Sequence, residues 1–169
     1  MKPLYIMMIG LPGSGKSNTV SQIIAAYPKI RWWRISTDEY IDREAEARGL
    51  TYNDVFQDCI DQATKIMNRR RTIAMDARER IIHDQTNLTI ASRAKKLASI
   101  PRDYVTIGVF CDVDERTRQT RLTERPGKAI PEHVDRNMYR TMQRPTTDEF
   151  DYVRTQDNWS VTVGALLNE

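Results

Sequence analysis

Residues 10–17 read Gly-Leu-Pro-Gly-Ser-Gly-Lys-Ser, a complete match to the pattern G-x-x-x-x-G-K-[ST]. The chemistry open to these residue types at this spacing is the holding of a polyphosphate. The glycines let the backbone turn tightly and aim its N–H groups at phosphate oxygens. The Lys16 ammonium is a point charge for the β- and γ-phosphates, and the Ser17 hydroxyl is a ligand for Mg²⁺. A helix beginning here would add the positive end of its dipole. The expected ligands are ATP and Mg²⁺, with Gly13, Ser14, Gly15, Lys16 and Ser17 forming the nucleotide site. The competing reading is a glycine-rich turn that binds nothing.

Three further clusters could complete a phosphoryl-transfer site. In Ser36-Thr37-Asp38-Glu39-Tyr40, Asp38 can accept a proton from an acceptor hydroxyl, or it can serve only as a favourable charge in a helix's first turn. In His83-Asp84-Gln85-Thr86-Asn87, Asp84 stands where a carboxylate can reach Mg²⁺ through water. Gln85, Thr86 and Asn87 could hold a substrate group, or simply make a turn. The third cluster is Arg116, Arg118, Arg121 and Arg125, followed by Pro126-Gly127-Lys128. Arg118, Arg121 and Arg125 share one helical face. With the loop after them they read as a basic lid over the transferring phosphoryl group, or else as a solvated face. Arg121 and Arg125 are the ATP-side candidates.

These clusters need elements to position them. Leu4–Ile9 is a short apolar run, as expected of a strand buried on both faces. Val20, Ile23, Ile24 and Tyr27 then recur at helical spacing until Pro28. Further strands are expected at 31–36, 80–84 and 103–111, with a weaker one at 159–163. Helices are expected at 16–27, 38–48, 52–78, 89–99, 114–124 and 131–143. Alternating strands and helices imply an α/β architecture: a P-loop NTPase-type parallel sheet of about five strands flanked by helices, with a helical lid. Ligands of such sheets sit at the carboxyl ends of the strands, where the clusters lie.

In the helix at 131–143, Val134, Met138 and Met142 make an apolar stripe expected to pack in the core. His133, Arg136, Asn137, Arg140 and Arg144 form another face. This face is either solvated or a groove for nucleic-acid phosphates. Arg69-Arg70-Arg71 reads as a solvated stretch of a long helix. Of Trp32 and Trp33, one is expected in the core and the other half exposed. His83 and His133 have no metal-ligand spacing.

With 169 residues the chain suits one domain, 1–169, with a sizeable core. No apolar run approaches membrane-spanning length. The N-terminus runs directly into the first strand, so no signal peptide and a cytoplasmic location (the host's, for a phage protein) are expected. Cys59 and Cys111 read as buried thiols of a reducing compartment. The formal charge is only +3, yet arginine outnumbers lysine by 19 to 7, which suits bidentate phosphate recognition. A GC-rich genome would also inflate arginine use.

Taken together, the segments resemble the kinase domain of phage and mammalian polynucleotide kinase-phosphatases. The motifs run in order: Gly10–Ser17, Asp38-Glu39-Tyr40, Asp84-Gln85-Thr86-Asn87-Leu88, and Arg121…Arg125-Pro-Gly-Lys128-Ala-Ile-Pro131 continuing to Val134…Arg136-Asn-Met-Tyr139. The resemblance implies that Asp38 is the general base, that Arg125 stabilises the transferring phosphoryl group, and that the Asp-x-Thr-Asn segment holds the acceptor end. Two departures touch the acceptor side. Ile41 stands where the phage enzymes carry an arginine that holds a substrate phosphate. Gln85 stands where they have aspartate. No phosphatase domain is expected.

The sequence therefore points to a kinase that uses ATP and Mg²⁺ to phosphorylate a hydroxyl on nucleic acid, the 5′-hydroxyl of a polynucleotide being the leading acceptor. DNA is preferred over RNA, and neither a membrane nor a protein partner is expected. Lys16, Asp38 and Arg125 carry the chemistry. Ser17 and Asp84 serve the metal. Asp38, Tyr40, Gln85, Thr86, Asn87, Arg136 and Arg140 face the substrate. One alternative acceptor is a hydroxymethyl group on a modified pyrimidine in phage DNA, with Tyr40, Tyr52 and Phe56 as stacking candidates. Others are a nucleotide or a small metabolite. A catalytically dead nucleotide-binding scaffold is a further class, against which the joint presence of Lys16, Ser17, Asp38 and Arg125 argues.

Overall fold

The structure, a computed structural model, describes residues 2–168. Five strands form one parallel sheet: β1 (Leu4–Ile9), β2 (Trp32–Ile35), β3 (Arg80–His83), β4 (Val105–Phe110) and β5 (Tyr152–Thr155). Their order across the sheet is β2-β3-β1-β4-β5. Strand β1 sits at the centre, paired with β3 on one side and β4 on the other. All six of its residues are buried, which explains why it reads as a continuous apolar run rather than an alternating one.

Seven helices among the described residues surround the sheet: α1 (Lys16–Ala26), α2 (Asp38–Arg48), α3 (Tyr52–Asp76), α4 (Ile90–Leu97), α5 (Glu115–Thr123), α6 (Glu132–Thr141) and α7 (Trp159–Asn168). The pleat sends alternate residues of β1 to opposite cores. Leu4, Ile6 and Met8 pack with Val20 and Ile23 of α1 and Trp159 and Val163 of α7. Tyr5, Met7 and Ile9 pack with Met67, Ala74 and Met75 of α3. A third cluster, Ile41, Ala45, Val55, Cys59 and Ala63, joins α2 to α3. The three clusters together fix the strand ends that carry the polar residues. No helix among the described residues is long and apolar enough to cross a membrane.

The first four strands and six helices fall where the sequence puts them. The C-terminus does not. Residues 159–163 are not a strand but the start of α7, and the fifth strand is Tyr152–Thr155. Trp159, Thr162 and Val163 are buried at helical spacing while Val161 is 75% exposed. The β-branched residues of this segment mask that period. Strand β5 is an edge strand of four residues, none fully buried, so it leaves little hydrophobic signal.

Trp32 and Trp33 are both half-buried and pack against opposite cores. The apolar stripe of α6 is a correction: Val134 and Met138 are only half-buried and α6 buries no residue fully. Met142, just past its end, reaches the α3-side core. Cys59 and Cys111 are buried free thiols.

Candidate active site

The loop between β1 and α1 has the form that its glycines allow. Gly13 and Gly15 have φ of 81° and 100°, where a side chain would be strained. A Cβ on Gly13 would lie 3.0 Å from the Arg118 carbonyl and 3.2 Å from the Arg118 side chain, so the loop and α5 meet backbone to backbone. Helix α1 starts at Gly15 with no side-chain cap and no acidic residue in its first turn. Its first N–H groups are thereby left for an anion. Ser14 is buried, and its hydroxyl lacks a hydrogen-bond partner. Lys16 Nζ folds back onto the carbonyls of Gly10 and Leu11 at 2.9 and 2.7 Å. An orphaned hydroxyl, uncapped amides and an ammonium held by neutral oxygens together fit a polyphosphate.

The ammonium also reports what surrounds it. Burial lowers the Lys16 pKa to about 8, opposed by the charges of Asp84 and Asp38 and reinforced by Arg125. The base, metal and phosphoryl-stabilising candidates thus converge on Lys16 from β2–α2, β3 and the loop after α5.

Asp38 opens α2, where its N–H donates to the Ser36 hydroxyl at 3.1 Å. Its carboxylate is therefore not needed to cap its own helix. Instead it accepts from the Tyr52 hydroxyl at 2.9 Å. Asp84 is buried and ion-paired with Arg34 of β2. Both Arg34 bonds, of 2.6 and 3.1 Å, go to Oδ2, so Oδ1 stays outside the pair. Among the described residues no group of three or more His, Cys, Asp or Glu could hold a metal ion. A divalent cation between the Ser17 hydroxyl and Asp84 would take its remaining ligands from phosphates and water, as Mg²⁺ ordinarily does. The residues fit that arrangement.

Helix α5 lies over the phosphate loop. Arg121 donates to the Gly13 carbonyl at 3.3 Å, and its Nη1 would be 3.4 Å from a Cβ on Gly15. The loop after α5 is tied across the site to the start of α3. Asn53 N–H donates to the Gly127 carbonyl at 3.0 Å, and its side chain donates to the Ala129 carbonyl at 2.7 Å. Lys128 pairs with Asp42 at 2.7 Å and sits over the Tyr52 ring. Arg125 is half-buried, and its charge bears on both Lys16 and Tyr52.

In the loop after β3, Gln85 and Asn87 are held rather than free. Asn87 has a φ of 49° and donates to the Met8 carbonyl at 2.7 Å. The Thr86 carbonyl accepts from Gly10 N–H at 3.0 Å. The loop after β3 is thus bonded directly to the end of β1 and the first glycine of the phosphate loop. Tyr40, Tyr52 and Phe56 pack against the α2–α3 core. Ile41 is fully buried there, so α2 offers no cation at that position.

Several basic residues depart from expectation. Arg118 does not belong to an open basic face. It is 2% exposed, with bidentate bonds of 2.8 Å to Glu115 and of 2.6 and 2.8 Å to Asp135. Arg136 and Arg140 are exposed on α6, with Arg136 paired to Glu132. Of Arg69-Arg70-Arg71, Arg70 pairs with Glu39 at 3.0 Å, while Arg71 is half-buried and its Nε is a buried atom. Nothing local in the sequence marks Arg93, Lys96 or Arg34. Arg93 is fully buried; it bonds Glu149 at 2.7 and 2.9 Å and the carbonyls of Asn87, Leu88 and Gln143 at 2.9–3.2 Å. A lone arginine in an amphipathic helix carries no local mark of such a role.

Residues 5–146 match the model of a family described as AAA domain. The fold is shared with solved kinases. A putative kinase from Chloroflexus aurantiacus is 13% identical, with 99% of this chain and 98% of that one covered and a TM-score of 0.72. A structure of the Pnkp1/Rnl/Hen1 RNA repair complex matches at 18% identity, over 83% of this chain and 44% of that chain, with a TM-score of 0.63. The Mycobacterium tuberculosis APS kinase CysC in complex with AMPPNP and APS matches at 18% identity over 99% of both chains, with a TM-score of 0.60. At these identities the likeness is one of fold, the parallel sheet of P-loop NTPases with a kinase-type arrangement of helices.

Proposed function

The chain belongs to the AAA-domain family, and on that premise we propose that it is an ATP-dependent kinase acting on a hydroxyl of nucleic acid, the 5′-hydroxyl of a polynucleotide foremost. The observation that carries the reading is the convergence of Asp38, Asp84 and Arg125 on Lys16. Phosphoryl transfer asks mainly for positioning and charge neutralisation, and these four groups supply both.

In this reading the phosphate loop and Lys16 grip the β- and γ-phosphates, and Arg121 reaches over the loop from α5. Asp38, steadied by Tyr52, orients the acceptor hydroxyl and takes its proton. The hydroxyl oxygen bonds to the γ-phosphorus while the bond from that phosphorus to the β,γ-bridging oxygen breaks, and ADP leaves with the electron pair. Lys16 and Arg125 offset the charge on the transferring group. A Mg²⁺ ion held by Ser17 and Asp84 would add further charge neutralisation when bound. The acceptor assignment draws on the Asp84-x-Thr-Asn and Arg121…Arg125…Ala-Ile-Pro131 segments and on the closed hydrogen-bonded loop that carries Gln85–Asn87.

The test is transfer from γ-labelled ATP to a panel of acceptors. An oligonucleotide whose only free hydroxyls are its 5′- and 3′-ends should be labelled at the 5′ end. Label confined to an internal hydroxymethylpyrimidine, a mononucleotide, a sugar or a sulfonucleotide would overturn the polynucleotide assignment while leaving the kinase. No turnover of ATP with any of them would remove both.

A further inference from the structure

A cleft of about 270 Å³ opens along the loop after β3 and the flank of α4, lined by Gln85, Asn87, Thr89, Ser92, Lys96 and Thr141 among others. Its one cationic lining residue is Lys96. Lys96 Nζ donates to Gln85 Oε1 at 2.8 Å and to Asn87 Oδ1 at 2.6 Å. Both partners are neutral amide oxygens, and an ammonium has three donors. One N–H therefore stays unassigned at the cleft.

The charge around Lys96 is unbalanced. Among the described residues no carboxylate pairs with it. Burial and the neighbouring Arg71 charge lower its pKa to about 8. Arg71 is of like sign, and its Nε is buried without a hydrogen-bond partner. His83 lies beyond Gln85, 3.0 Å from its Oε1, and is bonded on its other ring nitrogen to Tyr5. Burial first, and then the Lys96 and Arg71 charges, keep His83 neutral, with its pKa lowered to about 3. A cleft-lining ammonium with a like-charged neighbour and no carboxylate partner makes an arrangement that an anionic ligand completes.

The cleft also adjoins the transfer centre. Gln85 directly follows Asp84 in the chain. Arg70, next to Arg71, pairs with Glu39, next to Asp38. Thr89 and Ser92 bring hydroxyls to the same wall, Thr89 already accepting from Ser92 N–H at 3.2 Å.

We propose that this cleft is an anion subsite, in which Lys96 receives the phosphate of the acceptor strand nearest the reacting hydroxyl and the Thr89 and Ser92 hydroxyls donate to the same group. The proposal deepens the nucleic-acid reading above and rests on it for the identity of the ligand. Lys96 then has two tasks, fixing Gln85 and Asn87 and discriminating a phosphorylated acceptor from a bare nucleoside.

Two experiments test it. In the first, the phosphate loop is filled with a non-hydrolysable ATP analogue and Mg²⁺, and inorganic phosphate is titrated. The Lys96 side-chain amine resonance should shift saturably, and phosphate should raise the melting temperature of the wild type and of K96R but not of K96M. An unmoved resonance, or equal stabilisation of K96M, overturns the subsite without reference to any activity. The second compares a nucleoside 3′-phosphate with the unphosphorylated nucleoside as acceptors. K96M should raise KM for the phosphorylated acceptor about tenfold more than for the bare one, the loss expected for a charge-assisted contact, and K96R should recover most of it. Equal effects on both acceptors would reduce Lys96 to a support for the loop. If the wild type labels neither of these nor a 5′-hydroxyl oligonucleotide, the nucleic-acid reading fails, and the phosphate titration alone decides the subsite.

Discussion

The Tyr52 hydroxyl donates to Asp38 Oδ1 at 2.9 Å, joining the first residue of α3 to the first residue of α2. Burial and the Asp38 carboxylate both raise the Tyr52 pKa, so the phenol keeps its proton and remains a donor. Asp38→Asn should lower kcat by roughly 10²-fold or more with ATP affinity nearly unchanged, because the amide cannot take the proton. Tyr52→Phe should lower kcat about fivefold, the worth of one ordinary hydrogen bond. The double variant should be no worse than Asp38→Asn alone. Unchanged kcat in Asp38→Asn, with a lower melting temperature, would make Asp38 a helix-start residue only.

Lys16→Ala should abolish transfer while the protein stays folded, since the side chain is held only by two loop carbonyls. More than about a tenth of wild-type kcat, a deficit under ~1.4 kcal/mol, would end its assigned role.

ATP binding should carry a pH signature of the same residue. With its pKa lowered to about 8, Lys16 loses its proton above that pH when no nucleotide is bound, and phosphates restore it. Binding at pH 9 should therefore take up close to one proton, and binding at pH 7 almost none. Affinity should fall toward tenfold per pH unit above 8. Calorimetry in two buffers of different ionisation enthalpy reads this directly, and uptake equal at both pH values would contradict it. The same shift acts on folding. Between about 8 and the ordinary lysine value of 10.5 the unfolded chain binds more protons, so the stability of the nucleotide-free protein should rise with pH across that window.

Arg93→Ala should cost about 3–5 kcal/mol, because it leaves Glu149 without its partner and several carbonyls unsatisfied. For a chain of this size that is a fall in melting temperature on the order of 10 °C. Arg93→Lys should recover little, as one ammonium cannot fork to Glu149 and reach the carbonyls at once. A loss under about 2 °C would show that the hub is dispensable.

Salt dependence separates the basic residues. Neutralising Arg136 and Arg140 together should flatten the slope of log affinity for a DNA duplex against log salt by about two, and rather less for a single strand. Arg118→Gln should instead lower stability, because Glu115 and Asp135 lose their shared cation. A flattened slope with unchanged stability in Arg118→Gln would restore it to an open face.

What the sequence revealed and what it hid divide along a physical line. The phosphate loop is legible because its glycines, lysine and serine act within eight residues. The starts of α3, α4 and α5 are legible because their capping residues, Thr51, Thr89 and Asp114, are local. Arg93 and Glu149 are 56 positions apart, and Arg118 and Asp135 are 17 apart. Nothing near an arginine in the chain says whether it will meet solvent, phosphate or a buried carboxylate, so Arg118 reads as surface and Arg93 reads as nothing. Lys96 is hidden for the same reason: its neighbours Gln85 and Asn87 approach only once β3 and α4 have packed. Helix α7 is hidden by composition, its β-branched residues imitating a strand.

Arg93 grips the loop after β3 by main-chain oxygens, those of Asn87 and Leu88, and binds the Gln143 carbonyl beyond α6 in the same way. A grip on carbonyls is indifferent to which side chains the gripped residues carry. The path of the loop is thereby uncoupled from much of its lining, so Ser92 and Thr141 can be exchanged without moving the walls they stand on, whereas Thr89 caps α4. In engineering terms the cleft is a socket with a fixed frame and replaceable contacts. A library confined to Ser92 and Thr141 should change which hydroxyl-bearing molecules are accepted while the ATP side and the fold stay as they are.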